Sequence, residues 1–316
     1  MQSVIFRDHT PADDALACEL YNQLHPESPD VPKRMREGMD TTPTEHVIGR
    51  WVGHRGEDMV LAVRIVREFW TGHLDNCNLV LGFKRSDLAG ATEGLEFAVA
   101  QARKAGCKSM VTWMRDDWPE VLALAPFQQA EVTPTPAASL LRLEDFDETV
   151  WLDRVADTWQ KFEILSCEEL LKNDDGRMRH ELWQLEQDIM RDVPLPTPYQ
   201  EIPFDLFNKH LDQSRTDWPT MFFARVDGEL AAMSCVYRNE ADDSRWDTGL
   251  TGVRRAYRRQ GLAMALKVFA MTDVKRRGGV ILGTDNEEAN PMWDLNQQLG
   301  FRHHYNWLGY TFVWSE

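Results

Sequence analysis

Apolar positions in the second half of the chain follow the periodicities of an ordered series of strands and helices. The segment 220–238 holds two apolar, β-rich runs joined by Asp227-Gly228, which is a strong signal for a β-hairpin. A third strand is predicted at 245–253. From Arg258 to Arg277, apolar residues recur at intervals of three and four, which predicts an amphipathic helix that ends at Gly278-Gly279.

The flanking segments extend this pattern in both directions. A short buried strand, a helix that ends on glycine and a final strand are predicted at 280–284, 290–300 and 305–314. Ahead of the hairpin, the spacing of four apolar residues predicts one face of a further helix: Met178, Leu182, Leu185 and Ile189. The second half therefore consists of helices, a hairpin, a strand, a helix, a strand, a helix and a strand.

The first half repeats this order of elements. Its hairpin, strand, helix, strand and helical stretch are predicted at 45–70, 78–86, 93–106, 107–114 and 119–127. Three landmark pairs keep nearly one offset, of 170, 172 and 174 residues: Gly82 with Gly252, Thr112 with Thr284, and Phe127 with Phe301. These offsets indicate a duplication. We predict an α/β fold of two tandem domains, 1–148 and 149–316, each a mixed, mostly antiparallel sheet flanked by helices.

The composition limits the classes of partner. Among 316 residues, 51 are acidic and 35 are basic, which gives a net charge of -16. Such a surface repels phosphate backbones and excludes general nucleic-acid binding, whereas it attracts cationic ligands. The cysteines and histidines show no metal-site spacing. Because no apolar run reaches the roughly 18 residues of a membrane span and the amino terminus lacks a signal-peptide pattern, we expect a cytoplasmic protein without a membrane partner. We also expect a monomer or homodimer.

A basic loop precedes the helix of the second half. The sequence RRAYRR at 254–259 is followed by Gln260, Gly261, Leu262 and Ala263. A strand, a basic loop and a helix N-terminus together form an anion site, because the first N–H groups of a helix have no acceptor and the helix dipole is positive there. The alternative interpretation is a solvated charged loop.

The segment 253–267, VRRAYRRQGLAMALK, resembles the acyl-CoA-binding motif of the GNAT N-acetyltransferase superfamily. The core of that motif corresponds to Arg258, Arg259, Gln260, Gly261, Leu262 and Ala263. The segment 284–301 is similar to the asparagine-containing, Leu-Gly-Phe ending of the family. The likeness covers about 160–316, and the tandem arrangement is similar to that of mycothiol synthase and related two-domain acetyltransferases.

The resemblance implies roles in binding acetyl-CoA as a co-substrate. Backbone groups near Val253 and Arg254 would hold the thioester and the pantetheine, and the amides of 259–263 would bind the pyrophosphate. Asn286 and Asn290 would contact the pantetheine or adenosine arm. The alternative is that both are ordinary turn and N-cap residues, since asparagine suits both positions. The first half lacks the motif, and Asp87 and Glu93 place negative charge where phosphates would lie. We therefore expect the first half to be a degenerate copy without a cofactor site.

The residue that would protonate the departing thiolate differs from the family pattern. Many family members carry a tyrosine four residues before the glycine of the ending, where this chain has Asn296. We expect either that Tyr305 or Tyr310 protonates the departing thiolate or that it leaves unprotonated, because a thiol is already fairly acidic.

Asp247 is the candidate for the base that deprotonates the amine. It begins the strand that leads into the motif, at an even spacing from Val253, so both side chains project from one face. The alternative interpretation is that Asp247 is only a polar surface residue. In that case the candidates for the base are Glu287, Glu288 and His303.

Two classes of function remain open. The first is an N-acetyltransferase in which the amine of a small, possibly cationic acceptor attacks acetyl-CoA directly. The second is a non-catalytic acyl-CoA sensor or interaction protein on a decayed GNAT fold, which the missing tyrosine and the degenerate first half support. The sequence does not reveal the acceptor, because fold does not imply substrate.

Overall fold

The computed structural model describes residues 2–68, 73–173, 176–193, 199–213, 216–286 and 290–314. Glu287 and Glu288, the alternative bases named above, lie outside these residues. Two compact units are present: the first comprises Met1–Pro136 and Tyr305–Glu316, and the second comprises Ala137–His304. No helix in the described residues is long and apolar enough to cross a membrane.

The first unit contains a sheet whose strands follow one another in chain order. These strands are β1 Ile5–Asp8, β2 Val47–Arg55, β3 Asp58–Glu68, β4 His73–Phe83 and β5 Ser109–Arg115. All neighbours are antiparallel except the parallel pair β4 and β5. The helices are α1 Asp14–Asn22, α2 Pro32–Asp40, α3 Leu88–Lys104, α4 Pro119–Leu122 and α5 Ala125–Gln128.

The second unit repeats this order of elements. Its strands are β6 Glu131–Arg142, which contributes residues 137–142, β7 Glu163–Ser166, β8 Met221–Val226, β9 Glu229–Arg238, β10 Arg245–Val253 and β11 Ile281–Asn286. Its helices are α6 Glu148–Trp159, α7 Cys167–Leu171, α8 Arg177–Met190, α9 Phe204–Leu211, α10 Leu262–Arg276 and α11 Pro291–Leu299. The last strand of the chain is β12 Arg302–Val313.

The sheet of the second unit carries helices on both faces. The strand order is β6-β11-β10-β9-β8-β7. Alternate residues of β9 point to opposite faces. Ala232 and Val236 pack into a core with α10, whereas Met233 and Cys235 pack into a core with α7, α8 and α9. The face of this sheet that carries α8 is called here the α8 side.

The two units exchange their last strands. Residues 307–313 of β12 pair with β5 in the first unit, where Tyr310 lies opposite Thr112. Residues 137–142 of β6 pair with β11 in the second unit. The compact units therefore divide the chain after Pro136 and return residues 305–316 to the first unit, which differs from the predicted division into 1–148 and 149–316. The sequence pattern predicts that a strand forms but does not specify its partner.

The sequence-predicted elements and the internal repeat are confirmed. Gly82 and Gly252 lie on β4 and β10, and Thr112 and Thr284 lie on β5 and β11. The helix predicted from Arg258 begins later, at Leu262, because Arg259 and Gly261 have left-handed φ angles of 64° and 84°. The helix predicted from residue 93 begins earlier, at Leu88, where Asp87 caps it.

Candidate functional site

Strands β10 and β11 separate along their length and leave a gap, called here the strand gap. They pair in parallel from Arg245 opposite Ile281 to Asp247 opposite Gly283. Beyond these residues, β10 continues to Val253 without a partner in β11 among the described residues. A register shift against β9 between residues 248 and 251 accompanies the separation, as β-bulges bend strands. The backbone edge of β10 that faces β11 is therefore open to a ligand.

A chain of polar side chains crosses the strand gap. The hydroxyl of Thr248 donates to Thr284 Oγ1 at 2.7 Å, and Thr284 donates to Asn286 Oδ1 at 3.2 Å. The side-chain amide of buried Asn296 also donates to Asn286 Oδ1. Asn296 Oδ1 is itself buried, and no described residue donates to it. An unpaired buried acceptor is costly, so this atom fits a ligand that brings an N–H donor into the gap.

The N-terminus of α10 is open next to the strand gap. No side chain caps α10, and the N–H groups of residues 259–263 have no acceptor among the described residues. Gly261 has a φ of 84°, which glycine adopts without strain. A Cβ at Gly261 would also lie 3.0 Å from Thr158 Oγ1. The free amides and the helix dipole together make a site for an anionic group such as a pyrophosphate.

Three arginines of the basic loop are already paired with carboxylates. Arg255 and Arg258 both bind Asp192, and Arg258 also donates to the carbonyl of Val253 at 3.0 Å. These hydrogen bonds, chiefly the one from Arg255, lower the pKa of Asp192 to about 2. Arg254 Nε lies 2.9 Å from Asp188 of α8. These contacts hold the loop against α8.

Two members of the motif remain exposed beside the open amides. Arg259 and Gln260 are exposed, and no hydrogen bond or ion pair involves the Arg259 side chain among the described residues. Leu262, in contrast, is buried in the core under α10. The backbone amides and Arg259 are therefore open to an anionic group, whereas Arg254 and Arg258 would first have to exchange their carboxylate partners.

The equivalent helix of the first unit is closed. Asp87 caps α3, and its carboxylate accepts from the Gly90 amide at 2.9 Å. Arg55 in turn binds Asp87 and Glu93. Because the chain's own carboxylate occupies this helix N-terminus, an external phosphate would meet negative charge and an occupied amide. The contrast with α10 agrees with the prediction that the first half lacks the cofactor motif.

Asp247 lies at the point where the strand gap begins. Its carboxylate lies over Gly283, where a Cβ would overlap it. The ring of Tyr237, its register neighbour on β9, similarly covers Gly249. The adjacent residue Trp246 packs under α10, so Asp247 projects to the α8 side. The structure therefore places Asp247 at the end of the strand gap where β10 and β11 begin to separate.

A second carboxylate on the α8 side is absent from the sequence-predicted site. Glu186 is partly buried and has no hydrogen-bond or ion-pair partner among the described residues, and burial raises its pKa to about 7. Its charge contributes to the raised pKa values of Tyr199 and Cys235. The signal in the sequence is a glutamate four residues after Leu182, within the apolar face of α8.

The remaining predicted residues have other surroundings. Tyr310 is buried in the core of the first unit, where its ring lies 4.6 Å from that of Phe127, and burial raises its pKa. Tyr305 also belongs to the first unit, and the Arg115 guanidinium lies 3.8 Å from its ring. Neither tyrosine is among the second-unit residues around the strand gap.

Asn290 and His303 belong to the second unit. Asn290 caps α11 by accepting from the Met292 amide at 2.9 Å, which matches the plain structural role that asparagine suits. The His303 ring lies 6.5 Å from that of Trp293. No group of three or more His, Cys, Asp or Glu side chains within the described residues could hold a metal ion.

Comparisons with known proteins bear on the fold. Residues 179–301 match the model of the acetyltransferase (GNAT) family. No curated protein matches the chain significantly. Among solved structures, a tandem GNAT protein from the clavulanic acid biosynthesis pathway is similar, with a TM-score of 0.72, 18% identity and coverage of 99% of this chain and 100% of that one.

Two further solved structures share the fold. A GCN5-related N-acetyltransferase from Sphaerobacter thermophilus has a TM-score of 0.67 and 12% identity, and covers 98% of this chain and 95% of its own. A GNAT-family acetyltransferase from Colwellia psychrerythraea has a TM-score of 0.63 and 10% identity, with coverages of 98% and 99%. At these identities, the likeness shows the tandem fold.

Proposed function

We propose that this chain, which has the tandem GNAT fold and a GNAT-family domain over residues 179–301, is an acetyl-CoA-dependent N-acetyltransferase. It transfers an acetyl group to the amine of a small cationic molecule by direct attack. The observation that carries the proposal is the open N-terminus of α10 beside the strand gap. The first unit, whose equivalent helix is capped by Asp87, is proposed to bind no acetyl-CoA.

The second unit offers a fitting set of groups for acetyl-CoA. The amides of 259–263 would bind the pyrophosphate, with Arg259 as an additional cation. The open edge of β10 up to Val253 would bond the pantetheine amides, and Asn286 and Asn296 would contact this arm inside the strand gap. Bound acetyl-CoA supplies an acyl group activated as a thioester.

Two carboxylates can remove a proton from the incoming amine. A protonated amine cannot attack, so a base must accept its proton before or during the reaction. Asp247 is our first candidate because it lies where the strand gap begins. Glu186 is the second, because its pKa of about 7 suits a base that acts near neutral pH. Both acids project to the α8 side, and with the net charge of -16 they favour a cationic acceptor.

Many family members carry a tyrosine that protonates the departing thiolate, and the second unit has no tyrosine at that position. Asn296 occupies that position, and a carboxamide does not act as an acid near neutral pH. A thiol has a reference pKa of about 8.5, so its anion is a stable leaving group without a donor. We therefore propose that the thiolate leaves unprotonated.

The test is release of free CoA thiol from acetyl-CoA across a panel of polyamines, aminoglycosides, amino sugars and neutral amines. We expect release above background with at least one cationic amine, and loss of this release in Gly261→Glu. Calorimetric binding of acetyl-CoA without any release across the panel would instead indicate an acyl-CoA sensor. Absence of both binding and release would contradict either function.

A further inference from the structure

The first unit contains a cavity on the side of its sheet that carries α1 and α2. The cavity has a volume of about 70 Å³. Its walls are mostly apolar and include Tyr21, Met35, Met39, Ala62, Val80 and Gly82. The lining also includes two arginines, Arg50 of β2 and Arg64 of β3, and His9, whose Nε2 lies 3.2 Å from Asp14. The proposed acetyltransferase site uses none of these residues.

The two arginines form a like-charge pair. Arg50 lies directly opposite Arg64 in the antiparallel register of β2 and β3, so both side chains project from the same face. Like charges in this position destabilise a sheet. Burial lowers the pKa of Arg50, and burial together with the charge of Arg50 lowers that of Arg64 to about 10. An anion between them would remove this repulsion.

No carboxylate of the described residues forms an ion pair with Arg50 or Arg64. The nearby Asp14 is bound by Arg36 at 2.6 Å, and Arg36 also lies 3.9 Å from Asp40. These two acids are therefore already paired with a different arginine. In a chain with 51 acidic residues, the lack of a partner at this position leaves a local excess of positive charge.

Each guanidinium is anchored at one end and has an unused donor. A terminal nitrogen of Arg50 donates to the Met39 carbonyl at 2.7 Å, and one of Arg64 donates to Thr42 Oγ1 at 2.5 Å. The Nε atoms of both arginines are buried and have no hydrogen-bond partner among the described residues. The end of α2 thus fixes Arg50, and Thr42 just after this helix fixes Arg64, while one donor on each arginine remains unsatisfied.

We propose that this cavity binds a small carboxylate, with the charged group between Arg50 and Arg64 and the hydrocarbon part against the apolar walls. A carboxylate has two acceptor oxygens and can satisfy both Nε–H donors with charge-assisted bonds. The mostly apolar walls favour a short-chain carboxylate over an ion such as phosphate, which is polar on every side. The site gives the first unit a ligand of its own.

Calorimetric titration of the intact chain with butyrate, its neutral isostere butyramide and inorganic phosphate tests this site. We expect butyrate to bind with one site per chain and butyramide to bind at least roughly tenfold more weakly, because it lacks the charge. Arg50→Gln and Arg64→Gln should each weaken butyrate binding by about tenfold or more. Arg85→Gln, which removes an exposed arginine paired with Glu120, should leave it unchanged.

Several outcomes would contradict the proposed carboxylate site. Equal binding of butyrate and butyramide would show an apolar cavity without anion recognition, and preferential binding of phosphate would contradict the carboxylate class. Absence of butyrate binding, or unchanged binding in both arginine variants, would contradict the proposal. It would show that the two arginines only hold the chain at the end of α2 in place. If the variants do not fold, the comparison of butyrate with butyramide on the wild-type chain still decides.

Discussion

Replacing Glu186 by glutamine should stabilise the protein above neutral pH. The carboxyl group lies on α8 among the apolar side chains of the second unit, without a hydrogen-bond or ion-pair partner in the part of the chain that the structure describes. Burial raises its pKa from 4.5 to about 7, so ionisation is disfavoured in the folded state. Glutamine has nearly the same shape and no charge, and it removes this penalty.

The magnitude follows from the pKa difference. The unfolded chain loses this proton near pH 4.5 and the folded chain near pH 7, so the folded state binds more protons in between. The free energy of unfolding of the wild-type protein therefore falls as pH rises from about 4.5 to 7. A difference of about 2.5 pKa units corresponds to at most about 3 kcal/mol, present in full above pH 7.

Urea denaturation of wild type and Glu186→Gln at pH 5 and pH 8 measures the effect. The free energy of unfolding of the variant minus that of wild type should increase from pH 5 to pH 8, by up to about 3 kcal/mol. The control Gln184→Glu adds a carboxylate to the exposed side of α8, where no comparable change is expected. A stability difference between wild type and Glu186→Gln that is the same at both pH values would refute the reasoning. If Glu186 also accepts the amine proton, the stabilised variant should be a slower enzyme.

Three further predictions concern the site and the fold. Asp247→Asn should lower kcat by roughly a hundredfold and leave acetyl-CoA affinity near wild type, with a smaller loss at high pH where free amine is abundant; an unchanged kcat and pH–rate profile would remove Asp247 from the mechanism. Gly261→Glu should weaken acetyl-CoA binding by about a hundredfold, or ~3 kcal/mol, in calorimetry. The control Gly278→Glu shares the left-handed backbone at the other end of α10 and has open space, so equal losses in both variants would point to folding instead of the anion site. The fragment 152–316 should not fold stably, because it lacks residues 137–142 of the second sheet and carries β12 without β5; a soluble fragment with the full-length melting temperature and turnover would contradict this.

Local patterns in the sequence were sufficient to predict most of the elements. The hairpin at Asp227-Gly228 forms with left-handed φ angles at both residues, and the strand predicted at 245–253 has the same bounds in the structure. The helix that ends before Gly278 was likewise readable from its apolar spacing. These features depend on neighbours within a few residues, so a periodicity or a turn pair reports them directly.

The open helix N-terminus was also predictable, whereas its surroundings were not. Gly261 and the amides beside it follow from the local motif. The pairing of Arg258 with Asp192, 66 residues away in the chain, depends on how α8 packs beside the loop. The sequence showed a dense positive charge in the loop, and the structure showed that three of its four arginines are already paired with two carboxylates, Asp188 and Asp192.

Strand partners and shifted pKa values were decided only by the tertiary structure. The pattern of 305–314 predicts a strand, but it does not report the pairing with β5 that buries Tyr310 in the core of the first unit. The position of Glu186 within the apolar face of α8 is visible in the sequence but its pKa is not, and the pair Arg50 and Arg64 carries no local signature of its chemistry. Their pKa values and unsatisfied donors arise from burial by residues distant in the chain, and desolvation depends on packing that no short segment specifies.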